Sequence, residues 1–142
     1  MDRDVEQFER LETELFNAMG EAERRGLASG EGQFAFRRAM TALDLLAEER
    51  TAGIYDTLAA DPLTRDYVTH LDGQLRGLSA RIDIHRTRIE LGLLTGRGDI
   101  AGLNMSLARL VRQLKARFRR EAALMPVYAG WLGRQTETAA RA

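Results

Sequence analysis

Four stretches of this chain repeat apolar residues every three or four positions, and helix breakers separate them. That period is 3.6, not 2, so the chain must pack amphipathic helices rather than pair strands. The first stretch, residues 4–25, carries Val5, Phe8, Leu11, Leu15 and Met19 and ends in the glycine-rich loop GLASGEG. Asp2 or Asp4 is placed to cap it, and its acid-rich first turns suit the helix dipole. The second, residues 33–59, runs through Phe36, Met40, Leu43, Ala47, Arg50, Ile54 and Leu58. Asp61-Pro62 then stops one helix and starts the next, with Asp as N-cap and Pro at the first helical position.

The third stretch, residues 62–95, has Tyr67, Leu71, Gln74, Leu78, Ile82, His85 and Ile89 on one stripe. Gly73, Gly77 and Gly92 are possible bends, and GRGD at 96–99 breaks it. The fourth, residues 99–134, has Ile100, Leu103, Leu107, Leu110, Leu114, Arg117 or Phe118, Glu121, Leu124 and Tyr128 facing inward, and ETAARA reads as a frayed tail. Two prolines and few β-branched residues favour helix further. The expectation is one all-α domain over residues 1–142, an antiparallel up-and-down four-helix bundle.

Composition removes several classes of function. With no cysteine there are no disulfides, thiolate metal sites or thiol nucleophiles. No apolar run approaches the ~18 residues of a membrane span, and no basic-then-apolar leader opens the chain, so a cytoplasmic location is expected. Net charge is zero but unevenly spread: residues 1–61 hold 14 acids and 7 bases, residues 62–142 hold 7 acids and 14 bases. Opposite halves that pack together can neutralise each other, or one face can read a polar partner.

The segment Leu114 to Tyr128, LKARFRREAALMPVY, resembles the metal-binding helix of hemerythrin-like domains, where a His is followed by an acidic pair and an apolar "L-x-P" ending. LAEERTAGIYDTL (46–58) and THLDGQLRGL (69–78) resemble the family's second-helix and third-helix motifs. The likeness implies a hemerythrin-like bundle but not its metal. Counting back from Pro126 puts Arg120 and Glu121 on the acidic pair and Ala116 on the ligand His. Leu45 or Leu46 stands where the second helix would supply His, with Glu48 and Glu49 nearby. His70 lies close to the third-helix His, but Gly73 and Gln74 hold its partner positions, and the first helix has no His.

GIYDTL (53–58) and KARFRREAALM (115–125) also resemble segments of the bacterial regulator-of-sigma-D family (Rsd and AlgQ), non-enzymatic bundles that bind the primary sigma factor. That likeness implies transcription regulation through a protein partner.

The residues themselves offer little chemistry. A bundle di-iron site needs several inward His and carboxylates at i, i+4 spacing, and the two His here are fifteen residues apart on one helix. That is about 22 Å, too far to share a metal. No Glu-x-x-His pair, nucleophile elbow or phosphate-binding Gly loop is present, so no metal, no cofactor and no enzymatic activity are expected. Both His fit as core or edge residues. Glu121 and Arg50 fall on inner stripes, and a buried carboxylate needs a partner. Arg50 or Arg117 is therefore expected to pair with Glu121 in the space of a lost cofactor, unless Glu121 turns to the bundle edge.

Arg109, Arg112, Arg119 and Arg120 lie outside the apolar stripe and are the candidate partner-binding residues. Nucleic acid is disfavoured by zero net charge and the absence of stacking or groove-reading motifs. Phe34, Phe36, Tyr128 and Trp131, near helix ends, either plug the bundle or anchor a partner. The reading is a non-enzymatic, protein-binding regulator, and the second resemblance implies sigma factor as its partner. The alternative is a hemerythrin-type domain sensing residual metal, oxygen or a small molecule. A homodimer is also compatible with the sequence.

Overall fold

In the computed structural model, which describes residues 2–141 and the side chains from Val5 onward, the chain is all helical. The elements are α1 (Asp2–Arg25), α2 (Gly30–Arg50), a π-helical turn (Thr51–Tyr55), α3 (Asp56–Ala60), α4 (Arg65–Thr95), α5 (Ile100–Glu121) and α6 (Leu124–Arg141). The expected capping side chains Asp2 and Asp4 lie outside the described ones. No strand occurs among the described residues.

Local chemistry sets the breaks. Gly26 takes φ +76°, a left-handed conformation that a side chain resists, and turns the chain out of α1. Ser29 then caps α2 by accepting from the Gly32 amide. Gly96, at φ +65°, closes α4, and Asp99 caps α5 by accepting from the Gly102 amide.

Three expected boundaries move. Asp61-Pro62 does end a helix, but the Asp61 side chain accepts from the Leu63 amide in a tight turn, and α4 starts only at Arg65. The fourth stretch is two helices rather than one. Pro126 has no amide proton, and its ring collides with the carbonyl four residues back, at Ala122. The helix accordingly breaks at Ala122–Ala123, and Pro126 sits in the first turn of α6, where it is tolerated. The ETAARA tail, expected to fray, continues α6 through Arg141 with its residues exposed.

The closest helix pairs are α1 with α2 and α4 with α5, with α5 also reaching α1. Leu15, Met19, Leu27, Phe36, Leu46, Ile54, Leu58, Leu75, Ile89, Leu107, Leu110 and Leu114 are almost wholly buried. Each large apolar side chain so buried contributes about 1.5–3 kcal/mol. The expected stripes of the first and fourth segments are buried nearly throughout, with Ile100 the exposed exception. Of the second stripe, Phe36, Met40, Ile54 and Leu58 are buried as expected, but on α2 the buried face also takes in Ala35, Ala39, Ala42 and Leu46, while Ala47 is exposed and Leu43 half-buried. On α4 Val68 and Leu75 are buried, whereas Tyr67 and Gln74, expected inside, are exposed. Small α2 alanines allow α1 to approach closely, and that approach sets which edge of the helix is covered.

Candidate functional site

The polar centre of the molecule is built where α2 gives way to the π turn. In that turn the Asp56 amide donates to the Thr51 carbonyl, an i→i+5 bond that stacks residues five apart. In a regular helix residues five apart diverge by about 140°. Here Arg50 and Tyr55 converge on one side, toward Glu121 of α5. Gly53 leaves room for Phe8, whose ring tip would lie 3.3 Å from an added Cβ.

Glu121 is 5% exposed. One carboxylate oxygen accepts from the Tyr55 hydroxyl at 2.7 Å, and the other from Arg117 Nε at 2.8 Å. Arg50 Nη1 stands 3.6 Å from that second oxygen and has no hydrogen-bond partner, while Nη2 donates to Glu12 at 3.0 Å. The Arg50 guanidinium also lies over the Phe118 ring, 4.6 Å from its centroid, and Phe16 meets Phe118 edge-on. Arg117 Nη1 reaches the Ser79 hydroxyl on α4. Five helical segments thus meet through one carboxylate. Of the two arginines expected beside Glu121, Arg117 makes the direct hydrogen bond and Arg50 the longer ionic contact.

Electrostatics follow from this burial. The Tyr55 phenol is held well above its ordinary pKa of 10.0, by burial first and then by the adjacent Glu121 carboxylate. Burial opposes the charge of Arg117, but Glu121 and Tyr55 together outweigh it and raise the arginine's pKa. An acid kept neutral by the fold contributes stability that is complete below its unfolded pKa and fades as pH rises above it. Tyr55→Phe is therefore expected to lose less stability than the wild type between about pH 9.5 and 11.5. Urea melts across that range check it; parallel curves would show that the phenol is not coupled to folding.

Two cavities flank the cluster, of about 180 Å³ and about 160 Å³. Arg50, Tyr55, Phe118 and Glu121 border both. In the larger one Arg86 is held by Asp44 at 2.6 and 2.8 Å and by Glu90, so its guanidinium is already engaged. The Asp44 hydrogen bond to Arg86 keeps that carboxyl below its usual range.

The positions that resemblance assigns to metal ligands are Ala116, half-buried against the core, and Leu45 or Leu46, one exposed and one buried. His70 is exposed and within 3.2 Å of Gln74 rather than inside the bundle. His85 is half-buried with an unpartnered Nδ1. Among the described residues no group of three or more His, Asp or Glu is arranged to hold a metal.

Arg109, Arg112, Arg119 and Arg120 are all exposed on α5. None is within 4.0 Å of an acidic group among the described residues, unlike Arg50, Arg86 and Arg134, which bridge to acids of the other half of the chain. Charge complementarity between the halves is therefore local, and the α5 ridge is left over. Of the four aromatics near helix ends, Phe36 and Tyr128 are buried, Trp131 stacks on Tyr128 with ring centroids 5.9 Å apart, and Phe34 is exposed.

The π turn was not foreseen. Its signal was Gly53 inside an otherwise apolar-striped helix, between two residues, Arg50 and Tyr55, that could not share a face at regular helical pitch. Compared with protein families, with curated proteins and with solved structures, the chain matches none.

Proposed function

We propose that this protein is a non-enzymatic regulator that acts by binding another protein, on a hemerythrin-like, up-and-down four-helix bundle whose metal site has been replaced. The observation that carries it is the state of Glu121, at the level where the resembled family binds metal. Its carboxylate is saturated by Tyr55, Arg117 and Arg50, with alanine at the position of the ligand His. A carboxylate so engaged has little left to give a metal or a substrate. The group most free to interact is instead the exposed α5 ridge of Arg109, Arg112, Arg119 and Arg120.

The partner proposed is a bacterial sigma factor, on the strength of the GIYDTL and KARFRREAALM segments, in a cytoplasmic setting. A bundle face would occlude the sigma surface that meets core polymerase or promoter. Titrating purified primary sigma factor into the labelled protein tests this. Saturable binding that is weakened by Arg112→Glu with Arg119→Glu is the expected result. Absence of binding at tens of micromolar would remove sigma factor as the partner.

A second reading, small-molecule, oxygen or residual-metal sensing, draws on the two cavities beside the cluster. Iron loading followed by absorption spectroscopy separates it from the first, since a ligand-to-metal charge-transfer band would contradict a replaced site.

A further inference from the structure

The basic ridge of α5 does not stand alone. Leu103 of α5 fits against Gly92 of α4, and Arg117 reaches Ser79, so the two helices run side by side in opposite directions. That register brings Arg109 close to His85 and Arg88. The His85 imidazole responds to it: its pKa is lowered, by burial first and then by Arg88 and Arg109.

On α4, Arg81 and Arg88 are seven residues apart, so they share an edge about 10.5 Å apart along the axis. Asp83 and Glu90 lie two residues further on, about 200° around the helix, on the opposite edge. The pairing agrees, because Glu90 binds Arg86, which reaches Asp44 on α2. Helix geometry thus sorts the charges of α4: these two acids toward α2, Arg81 and Arg88 toward α5. On the α5 side of the seam stands Arg109, with Arg112 exposed one turn on, and the only acids in α5 and its cap are Asp99 and the buried Glu121. All four arginines are exposed, and none has an acidic neighbour within 4.0 Å among the described residues.

Apolar side chains fringe the same seam. Ile84 and Leu91, also seven apart, are each 55% exposed, and Met105 is 57% exposed. Cations in two rows with apolar residues beside them fit a ligand that is acidic along one face and apolar along the next.

We propose that the outer seam between α4 and α5 is the docking surface for an acidic amphipathic helix of a protein partner. The proposal rests on the protein-binding reading above and adds the face and the partner's chemistry. Carboxylates spaced one heptad apart on such a helix match Arg81 and Arg88, while its apolar edge covers Ile84, Leu91 and Met105. A second copy of this chain docking by the same face would bring like charges together. Nucleic acid would satisfy the arginines but leave the apolar fringe uncovered.

The test is fluorescence anisotropy with a labelled helical peptide carrying Leu at heptad positions a and d and Glu elsewhere. Its Glu→Lys counterpart and a labelled single-stranded oligonucleotide are the controls. The acidic peptide is expected to bind and the lysine peptide not, with affinity falling several-fold between about 50 and 300 mM salt. Arg88→Glu combined with Arg109→Glu should weaken binding about tenfold or more, whereas Arg37→Glu with Arg38→Glu, exposed on α2, should not. Circular dichroism of both variants confirms that each remains folded. Equal binding of both peptides, equal loss in both variants, or preference for the oligonucleotide would overturn the proposal. The outcomes also separate the two readings. Peptide binding without sigma binding keeps this surface and removes that partner; sigma binding indifferent to Arg88→Glu with Arg109→Glu does the reverse.

Discussion

Glu121→Ala is expected to lower the free energy of unfolding by about 3–5 kcal/mol, the usual cost of breaking a buried ion pair from one side. The substitution removes the acceptor shared by Tyr55 and Arg117 and one of the two carboxylates that face Arg50, which is 13% exposed and keeps its bond to Glu12. Arg117, at 29% exposure, can turn partly to water; Arg50 is held over Phe118 and cannot follow without losing that stacking. Arg50 is then left with Glu12 alone and with a hole where its second carboxylate stood. Against a typical total stability of about 5–15 kcal/mol, such a loss is a large share of what holds the chain folded. Denaturant titration of Glu121→Ala and of the triple variant Arg50→Met, Arg117→Met, Glu121→Leu decides between two accounts. A stability near wild type in the triple variant, with a large loss in the single one, identifies the cost as the stranded charge. Little loss in Glu121→Ala would mean that the carboxylate is not holding the helices together.

The second large effect is predicted at a glycine. A Cβ at Gly32 would lie 1.8 Å from the Gly26 carbonyl oxygen and 2.7 Å from its carbon, both backbone atoms that no rotamer change can move. Gly32→Ala must therefore displace either the loop or the first turn of α2. The loop is tied down: the Leu27 amide donates to Asn104 of α5, and Gln33 donates back to the Leu27 carbonyl. Moving the turn pulls the Gly32 amide from the Ser29 hydroxyl and loses the cap. Overpacking at about 1–3 kcal/mol and a lost cap at about 1 kcal/mol together give an expected loss of about 2–4 kcal/mol. Gly20→Ala, in the interior of α1 with nothing within 4 Å of the new Cβ, should instead gain up to about 1 kcal/mol. Opposite signs for one substitution in two helices are the result to look for in thermal melts, and a neutral Gly32→Ala would show that the loop yields freely.

Of the two effects, only the one at Glu121 was partly legible beforehand. Glu121 and Arg50 could be placed on inner stripes because a 3.6-residue period follows from backbone geometry alone and needs no knowledge of the neighbour. Which arginine would meet the carboxylate directly was not fixed by that period, since Arg50 and Arg117 reach it from different helices. Gly32 showed no signal at all: its role depends on how closely the Gly26 carbonyl returns, a distance set by the turn. The α2 face was read only in part, for a related reason: Phe36 and Met40 are buried as the stripe placed them, but Ala47 is exposed and Leu43 half-buried. Leu43 and Ala47 fit a stripe as well as Ala39, Ala42 and Leu46 do, and only the close seat of α1 against the alanines selects one.

Local rules, acting within a few residues, were sufficient for the all-helical class, the glycine breaks at Gly26 and Gly96, the Asp99 cap and the absence of thiol chemistry. They also contained the break before Pro126, because a missing amide proton and a ring clash are properties of that residue wherever it stands. Tertiary packing alone decided that five helical segments converge on Glu121 and that a π turn brings Arg50 and Tyr55 to one side. It also left Arg81, Arg88 and Arg109 on one outer seam while Arg86 turned inward to Asp44. Periodicity says which residues share a helix face, but the partner of that face is chosen by long-range burial and charge, which come into being only when the helices meet.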